Sequence, residues 1–204
     1  TEQINALSST QIQSLISTQV ARLTGTQLNG INTDQIAQLS SVQASALTSG
    51  QLNALNSVAL QAITTDDVRA LTSAQLSQLS SAQFNNLSTE QVLALSSSAL
   101  QAITTTVVKA LATAQLNALS SVQIQALTST QLPAMETADF VKLNSTQFNA
   151  LTTGQIQALS TLQLANLSTD QLANMTTDSV QALTTAQISS LATSNINKLS
   201  TATL

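Results

Sequence analysis

Few residues of this 204-residue chain can do chemistry, and their spacing limits what that chemistry is. Asp66 and Asp67 are adjacent, and Asp170 stands near Asp178. Paired carboxylates can give oxygen ligands to Ca²⁺. The competing reading is electrostatic. Asp34, Glu90 and Asp170 share one slot of a repeating unit, in the first turn of a helix, where a negative charge meets the positive end of the helix dipole. That reading is preferred, and no metal ligand is assigned. Asn86-Leu-Ser, Asn144-Ser-Thr, Asn166-Leu-Ser and Asn174-Met-Thr fit the N-glycosylation acceptor pattern. The repeat places a large apolar residue and then a hydroxyl after its small position, so an Asn there creates the pattern by itself. Rows of Ser and Thr can present hydroxyls to ice or carbohydrate, but helix capping and bonds between coils use the same groups. Phe84, Phe140 and Phe148 fall in an apolar series and are expected to be core, not stacking platforms.

Composition removes other chemistries. There is no Cys, His, Trp or Tyr, and charged residues are 7% of the chain. Zinc, copper and haem sites normally draw on His or Cys. A Ser–His or Cys–His nucleophile pair cannot be assembled. Five scattered Lys+Arg with three Phe provide neither a phosphate-binding stripe nor base-stacking platforms, so nucleic acid is a poor partner. No apolar run is long enough to span a membrane, and no stretch reads as a signal peptide. No catalytic, cofactor or metal residue is assigned. The 43% hydrophobic content is enough for a core.

That core has a ruler of eight residues. Large apolar residues stand at Leu7, Leu15, Leu23, Ile31, Leu39 and every eighth position to Leu199, twenty-five in all. A second series lies three residues earlier, from Ile4, Ile12 and Val20 to Ile196 and Leu204, and only Ala44 is small in it. No insertion or deletion breaks the register. The unit reads Leu-[Ser/Thr]-[Ser/Thr]-x-Gln-[Ile/Leu/Val]-x-Ala.

A single helix cannot carry this pattern. At about 100° per residue, eight residues overshoot two turns by roughly 80°, so the apolar stripe would wander around the helix. The break is written into each unit. In Leu87-Ser88-Thr89-Glu90-Gln91-Val92, Ser88 can cap the helix and Gln91 can reach back to the Ser88 N–H. Leu87 and Val92 have the spacing of a hydrophobic staple. Each octad is therefore expected to be a short capped helix of roughly five to seven residues. The second hydroxyl is more uniform than the first, where Ile16, Ala112, Glu136 and Ala192 intrude. It is thus an alternative cap, or a row of hydroxyls that line up between neighbouring coils and bond one another. Pro133 removes a backbone donor and is expected to distort its unit, together with Met135 and Glu136. The stretch Ala59–Leu71 is echoed at Ala99–Leu111, which reads as a duplication.

Helices this short are unstable alone and must be held by neighbours. The expected fold is all-α: a solenoid or superhelix of about twenty-five octapeptide repeats in one uninterrupted array over residues 1–204. A β-solenoid is the alternative. It would need turn residues in every coil, and the chain has four Gly and one Pro. Two or three octads to a coil, with coils stacked at the usual helix spacing of about 8–10 Å, give a rod roughly 70–120 Å long. Neither end reads as a cap, so an excerpt of a longer array or a filament subunit is expected.

The phrases "LSTDQLANM", "LTTAQISSL" and "LSSVQIQAL" resemble tandem repeats of very large bacterial surface or secreted proteins, over essentially the whole chain. The resemblance implies an extracellular, structural or adhesive setting and transfers no catalytic residue. The expected role is non-enzymatic: a rigid stalk, spacer or self-assembling filament. Its expected partners are other copies or neighbouring repeats. The alternative is a module that binds carbohydrate or ice through a Ser/Thr/Gln face.

A buried charge tests the repeat as a packed unit. Leu95→Asp should unfold the neighbouring octads and lower the melting temperature, followed by circular dichroism. An unchanged melting curve would oppose a packed array.

Overall fold

The computed structural model describes residue 4, residues 6–191 and residues 193–199. Ala192 and Leu204, named above, lie outside the described residues. Among those described, every octad from Ser9–Gln13 to Thr193–Ile196 contains one helix, and no strand is present. The fold is a helical solenoid, which removes the β-solenoid alternative. The helices are four to six residues long, slightly shorter than expected.

The cap is the first hydroxyl. Ser88 is extended (φ −69°, ψ 163°) and its side chain accepts the N–H of Gln91. Gln91 in turn accepts the N–H of Ser88 at 2.9 Å, completing the capping box. At the far end, Leu95 returns to the extended region (φ −61°, ψ 135°) and its N–H bonds to the Val92 carbonyl. In such six-residue helices the helix-to-helix link is just two extended residues, the leucine and the next cap. No described residue, glycine included, has positive φ. The chain turns in every octad without turn glycines because both link residues sit in a region open to any side chain.

Two compact units are present, Thr1–Val107 and Val108–Leu204. Both are built alike. In the first, Ser41–Ala46 packs on Thr65–Arg69, and Ser73–Ser77 on Ser97–Ala102. In the second, Thr153–Ala158 packs on Thr177–Ala182, and Thr161–Ala165 on Thr185–Ser190. Every one of these partners is three octads away. Hydrogen bonds also reach the fourth octad back, as in Gln43 to Ile12 and Leu15. A coil therefore holds between three and four octads, more than the two or three taken from sequence, and a rod of given octad number is correspondingly shorter.

Both apolar series point inward. Leu39, Leu47, Leu55 and Ile63, from four consecutive octads, line one apolar internal cavity of about 10 Å³ with Leu28 and Ile36. That is barely the space of one water, and the lining offers it no polar partner. Ala44, the small residue of its series, is fully buried. Phe84, Phe140 and Phe148 are core residues, as expected. Phe140 and Phe148 meet edge to face, with ring centroids 6.2 Å apart.

Pro133 acts locally. It lacks the N–H that would bond the Ser129 carbonyl, and its helix is assigned only over Gln131–Ala134. The cap survives: Thr128 N–H still bonds Gln131 Oε1 at 2.8 Å, and Leu132 and Met135 stay buried.

Gly25 is the one glycine at the second-hydroxyl position, and packing explains it. A Cβ there would stand 2.5 Å from the Cβ of Ala54, three octads on. A Cβ on Gly154 would meet nothing within 4 Å. Gly25→Ala should therefore destabilise by about 1–3 kcal/mol, relieved by adding Ala54→Gly. Gly154→Ala should stabilise by about 0.5–1 kcal/mol. Denaturant unfolding of the variants checks both signs.

Candidate functional site

The residue that joins coil to coil is the glutamine of the unit, which sits at the third helical position. Its Oε1 serves its own octad. Gln155 Oε1 accepts the N–H of Thr152 at 2.8 Å. Its Nε2 serves the coil before, donating to the carbonyls of Ile124 (2.9 Å), Gln125 (3.1 Å) and Leu127 (2.6 Å). The same pattern, 31 and 28 residues back, joins Gln51 to Val20 and Leu23, Gln75 to Ala44 and Leu47, and Gln91 to Leu60 and Ile63 in the first unit. In the second it joins Gln147 to Leu116 and Leu119, and Gln187 to Ile156 and Leu159. The acceptors are carbonyls of the last helical turn and of the residue that follows it, which no N–H four residues on completes. Gln35 likewise donates to Leu7, 28 residues back.

An amide is the group this position requires. Oε1 must accept while Nε2 donates, and a carboxylate would turn an acceptor toward acceptors. Where an acid does replace Gln, a hydroxyl answers it. Asp67 is buried and accepts from Thr64 Oγ1 (2.7 Å) and from Ser41 Oγ of the coil before (3.1 Å). Asp139 accepts from Thr113 Oγ1 (2.9 Å), at the same offset of 26 residues, and from Lys142 Nζ (3.2 Å). Ser41 and Thr113 are both second hydroxyls. So are Ser73 and Ser81, which donate to the Ser98 and Thr106 carbonyls one coil on. These second hydroxyls thus bond between coils, but to carbonyls and carboxylates and not to one another as expected.

Asn forms a second clamp that the sequence reading missed. Asn29 Nδ2 donates to the Ala54 carbonyl (2.7 Å) while its Oδ1 accepts the N–H of Asn56 (2.7 Å). Asn53 does the same with Gln78 and Ser80. The octad of Asn56 has Ala59 where Gln would close the capping box, so Asn29 supplies the missing acceptor from the coil before. Asn149 stands at the same position, 27 residues before Thr176, whose octad carries Ser179 in place of Gln. Its Oδ1 is buried without a partner among the described residues.

The candidate residues of the sequence are dispersed. Asp66 pairs with Arg69 at 2.6 Å, both exposed, while Asp67 points into the solenoid. Asp34, Asp170 and Asp178 are exposed first-turn acids of separate helices. Glu90 is their best-defined member. Its own backbone N–H, then the Ser88 and Thr89 hydroxyls, hold its carboxyl below the usual carboxylate range. Among the described residues no three of His, Cys, Asp and Glu gather as a metal site. Of the four Asn in acceptor motifs, Asn144 is a helix cap, and Asn166 and Asn174 bond the carbonyls four residues before them. Asn86 donates to Gln83 Oε1. Shallow surface grooves lie between stacked helices: the one between Asp34 and Val58 has Asp34 as its single titratable group, and the one lined by Thr65 and Leu93 has Arg69 and Glu90. No described helix is long and apolar enough to cross a membrane.

Replacing one ladder amide by its acid isolates the donor. Gln155→Glu keeps the acceptor for Thr152 but turns a second oxygen toward three carbonyls, so it should cost about 2–4 kcal/mol at neutral pH. The new carboxyl, favoured in its protonated form on folding, has a raised folded-state pKa. The loss should therefore be smallest below the unfolded carboxyl value and grow as pH rises toward the folded one. Thermal melts from acid to neutral pH, compared with the parent chain, measure it.

Two segments, residues 60–97 and 132–169, match the family model of the ALTTAQ repeat. They cover the same register, since Leu60 and Leu132 both belong to the second apolar series. No curated protein matches the chain. The chain contains a tandem-repeat region, and those two segments are similar to the ALTTAQ repeat.

Proposed function

We propose that this chain is a structural element, a stalk or spacer whose length is set by the number of octads, and that it is not an enzyme. One observation carries the reading: the glutamine ladder repeats at constant offsets of 28 and 31 residues in each unit. Constant offsets give each octad the same rise and rotation, which is what a spacer needs. The extracellular, cell-surface setting and any adhesin-like context are part of this proposal and rest on the resemblance to surface-protein repeats. The partner class is more of the same repeat, from this chain or another copy.

The alternative, a carbohydrate- or ice-binding face, fits less well. Cap hydroxyls such as Thr152 accept from their own helices, and several second hydroxyls donate to the next coil. The cap hydroxyls and the second hydroxyls Ser41, Ser73, Ser81 and Thr113 are thereby engaged within the fold.

Length dependence tests the spacer. Duplicating the seven octads Ser40–Leu95 adds about two coils, and small-angle scattering should show a maximum dimension greater by about 16–20 Å at unchanged cross-section. A thicker particle of unchanged length would sink the reading.

A further inference from the structure

We propose that the coil junction carried by Ala99 and Val107 is a built-in joint, the place where the stacked coils of the first unit part before the rest of that unit unfolds. The use of such a joint, a stalk that yields at a fixed place under load, rests on the structural reading above. The opening itself does not.

The glutamine ladder is not continuous. Gln75, Gln83 and Gln91, in successive octads, each donate from Nε2 to two carbonyls of the coil before. The next two octads carry Ala99 and Val107 in that slot, both buried. Neither side chain can donate. At the offsets of 31 and 28 residues that hold elsewhere, their acceptors would be the carbonyls of Val68 and Leu71, and of Leu76 and Leu79. Val68 and Leu76 keep the bond from the N–H of Leu71 and Leu79. No side chain of a described residue donates to any of the four. The Leu47 and Ile63 carbonyls, by contrast, each take an amide at 2.7 Å. A coil holds between three and four octads, so adjacent gaps strip a large share of one coil's amide bonds.

Forty residues earlier the same slots hold Ala59 and Asp67, and there the loss is made good. Asn29 donates to the Ala54 carbonyl and accepts the N–H of Asn56, both at 2.7 Å, and Ser41 donates to Asp67. At the later pair the replacement is thinner. The residue 27 before Ser96 is Arg69, a donor where an acceptor is wanted, and it is paired with Asp66. The N–H groups of Ser96 and Thr104 thus lose the acceptor that glutamine gives to other caps. The bonds that do cross come from Ser73 and Ser81, to the Ser98 and Thr106 carbonyls, at 3.2 and 3.3 Å. Beside them lies the apolar packing of Ser73–Ser77 on Ser97–Ala102. Apolar packing is non-directional, and each bond left unmade lowers the stability of that one place. Local opening in a folded protein follows such differences.

The chain has no cysteine, so single thiols can report opening site by site. Ala44→Cys, Ala59→Cys and Ala99→Cys each place a thiol at a buried alanine of the first unit: beneath a glutamine bond, at the braced gap and at the thinner one. Each labelling rate under native conditions is divided by the rate of the same variant unfolded in urea. Ala99→Cys should label at least about tenfold faster than the other two, with the helical spectrum of the parent chain kept in all three. Adding Val107→Gln, which restores one rung, should slow that labelling by a similar factor. Gln75→Leu, which removes one, should speed the labelling of Ala44→Cys. Equal rates at the three sites mean that the unit opens only as a whole, and they overturn the proposal. A slower thiol at Ala99→Cys overturns it too, as does a fast one that Val107→Gln fails to slow at unchanged melting temperature. If Val107→Gln lowers the melting temperature, Gln75→Leu decides: an unchanged rate at Ala44→Cys overturns the proposal. Scattering reads the spacer separately. Length that grows with added octads while the three thiols label alike keeps the spacer and removes the joint, and a fast Ala99→Cys without that growth does the reverse.

Discussion

The structure depends on one side chain being used at both ends. A glutamine at the third helical position must close its own capping box with oxygen and bond the previous coil with nitrogen. A short helix is marginal alone because its end groups are unsatisfied and its nucleation is costly. The amide answers both needs, completing an N-terminus in one octad and a C-terminus in another. It is buried, yet both of its polar atoms are spent. That is the condition under which a buried polar group stabilises.

The rest of the composition follows from that constraint. A neutral amide needs no counter-ion, so stacked coils are joined with few charges, and the chain has only 5 Lys+Arg against 9 Asp+Glu. Where the amide is missing, other short polar groups take over. Ser41 and Thr113 answer Asp67 and Asp139, and Asn29 caps the octad that has Ala59. Turns need no glycine, because the two link residues are extended. Gly25 is kept for the close approach of Ala54. The exposed ion pairs, such as Lys109 with Glu136 at 3.4 Å, decorate this frame and add little to it.

Much of this was legible beforehand. The period of eight, the break in each octad, both apolar series and the burial of the three Phe all follow from local rules, whereas the choice of the first hydroxyl over the second as cap came from the structure. The capping box spans three residues and the staple five, so their signatures lie side by side in the chain. The local effect of Pro133 was legible for the same reason. The dispersal of the acids was legible in part: first-turn slots account for Asp34 and Glu90, but nothing local announces that Asp67 turns inward to meet Ser41.

By itself, then, the sequence determined the unit: an octad, helical, capped by its own residues, with two apolar positions to bury. The number of octads in a coil was decided only by tertiary structure, because closure depends on where a glutamine nitrogen lands 28 to 31 residues earlier. Every octad offers the same carbonyls, so no residue type singles out the one that receives it. The second use of glutamine, the interlocking of Asn29 with the next coil and the need for Gly25 share that origin. Each is a contact between residues far apart in a chain whose units are nearly identical, and identical units carry no mark of which neighbour they will meet.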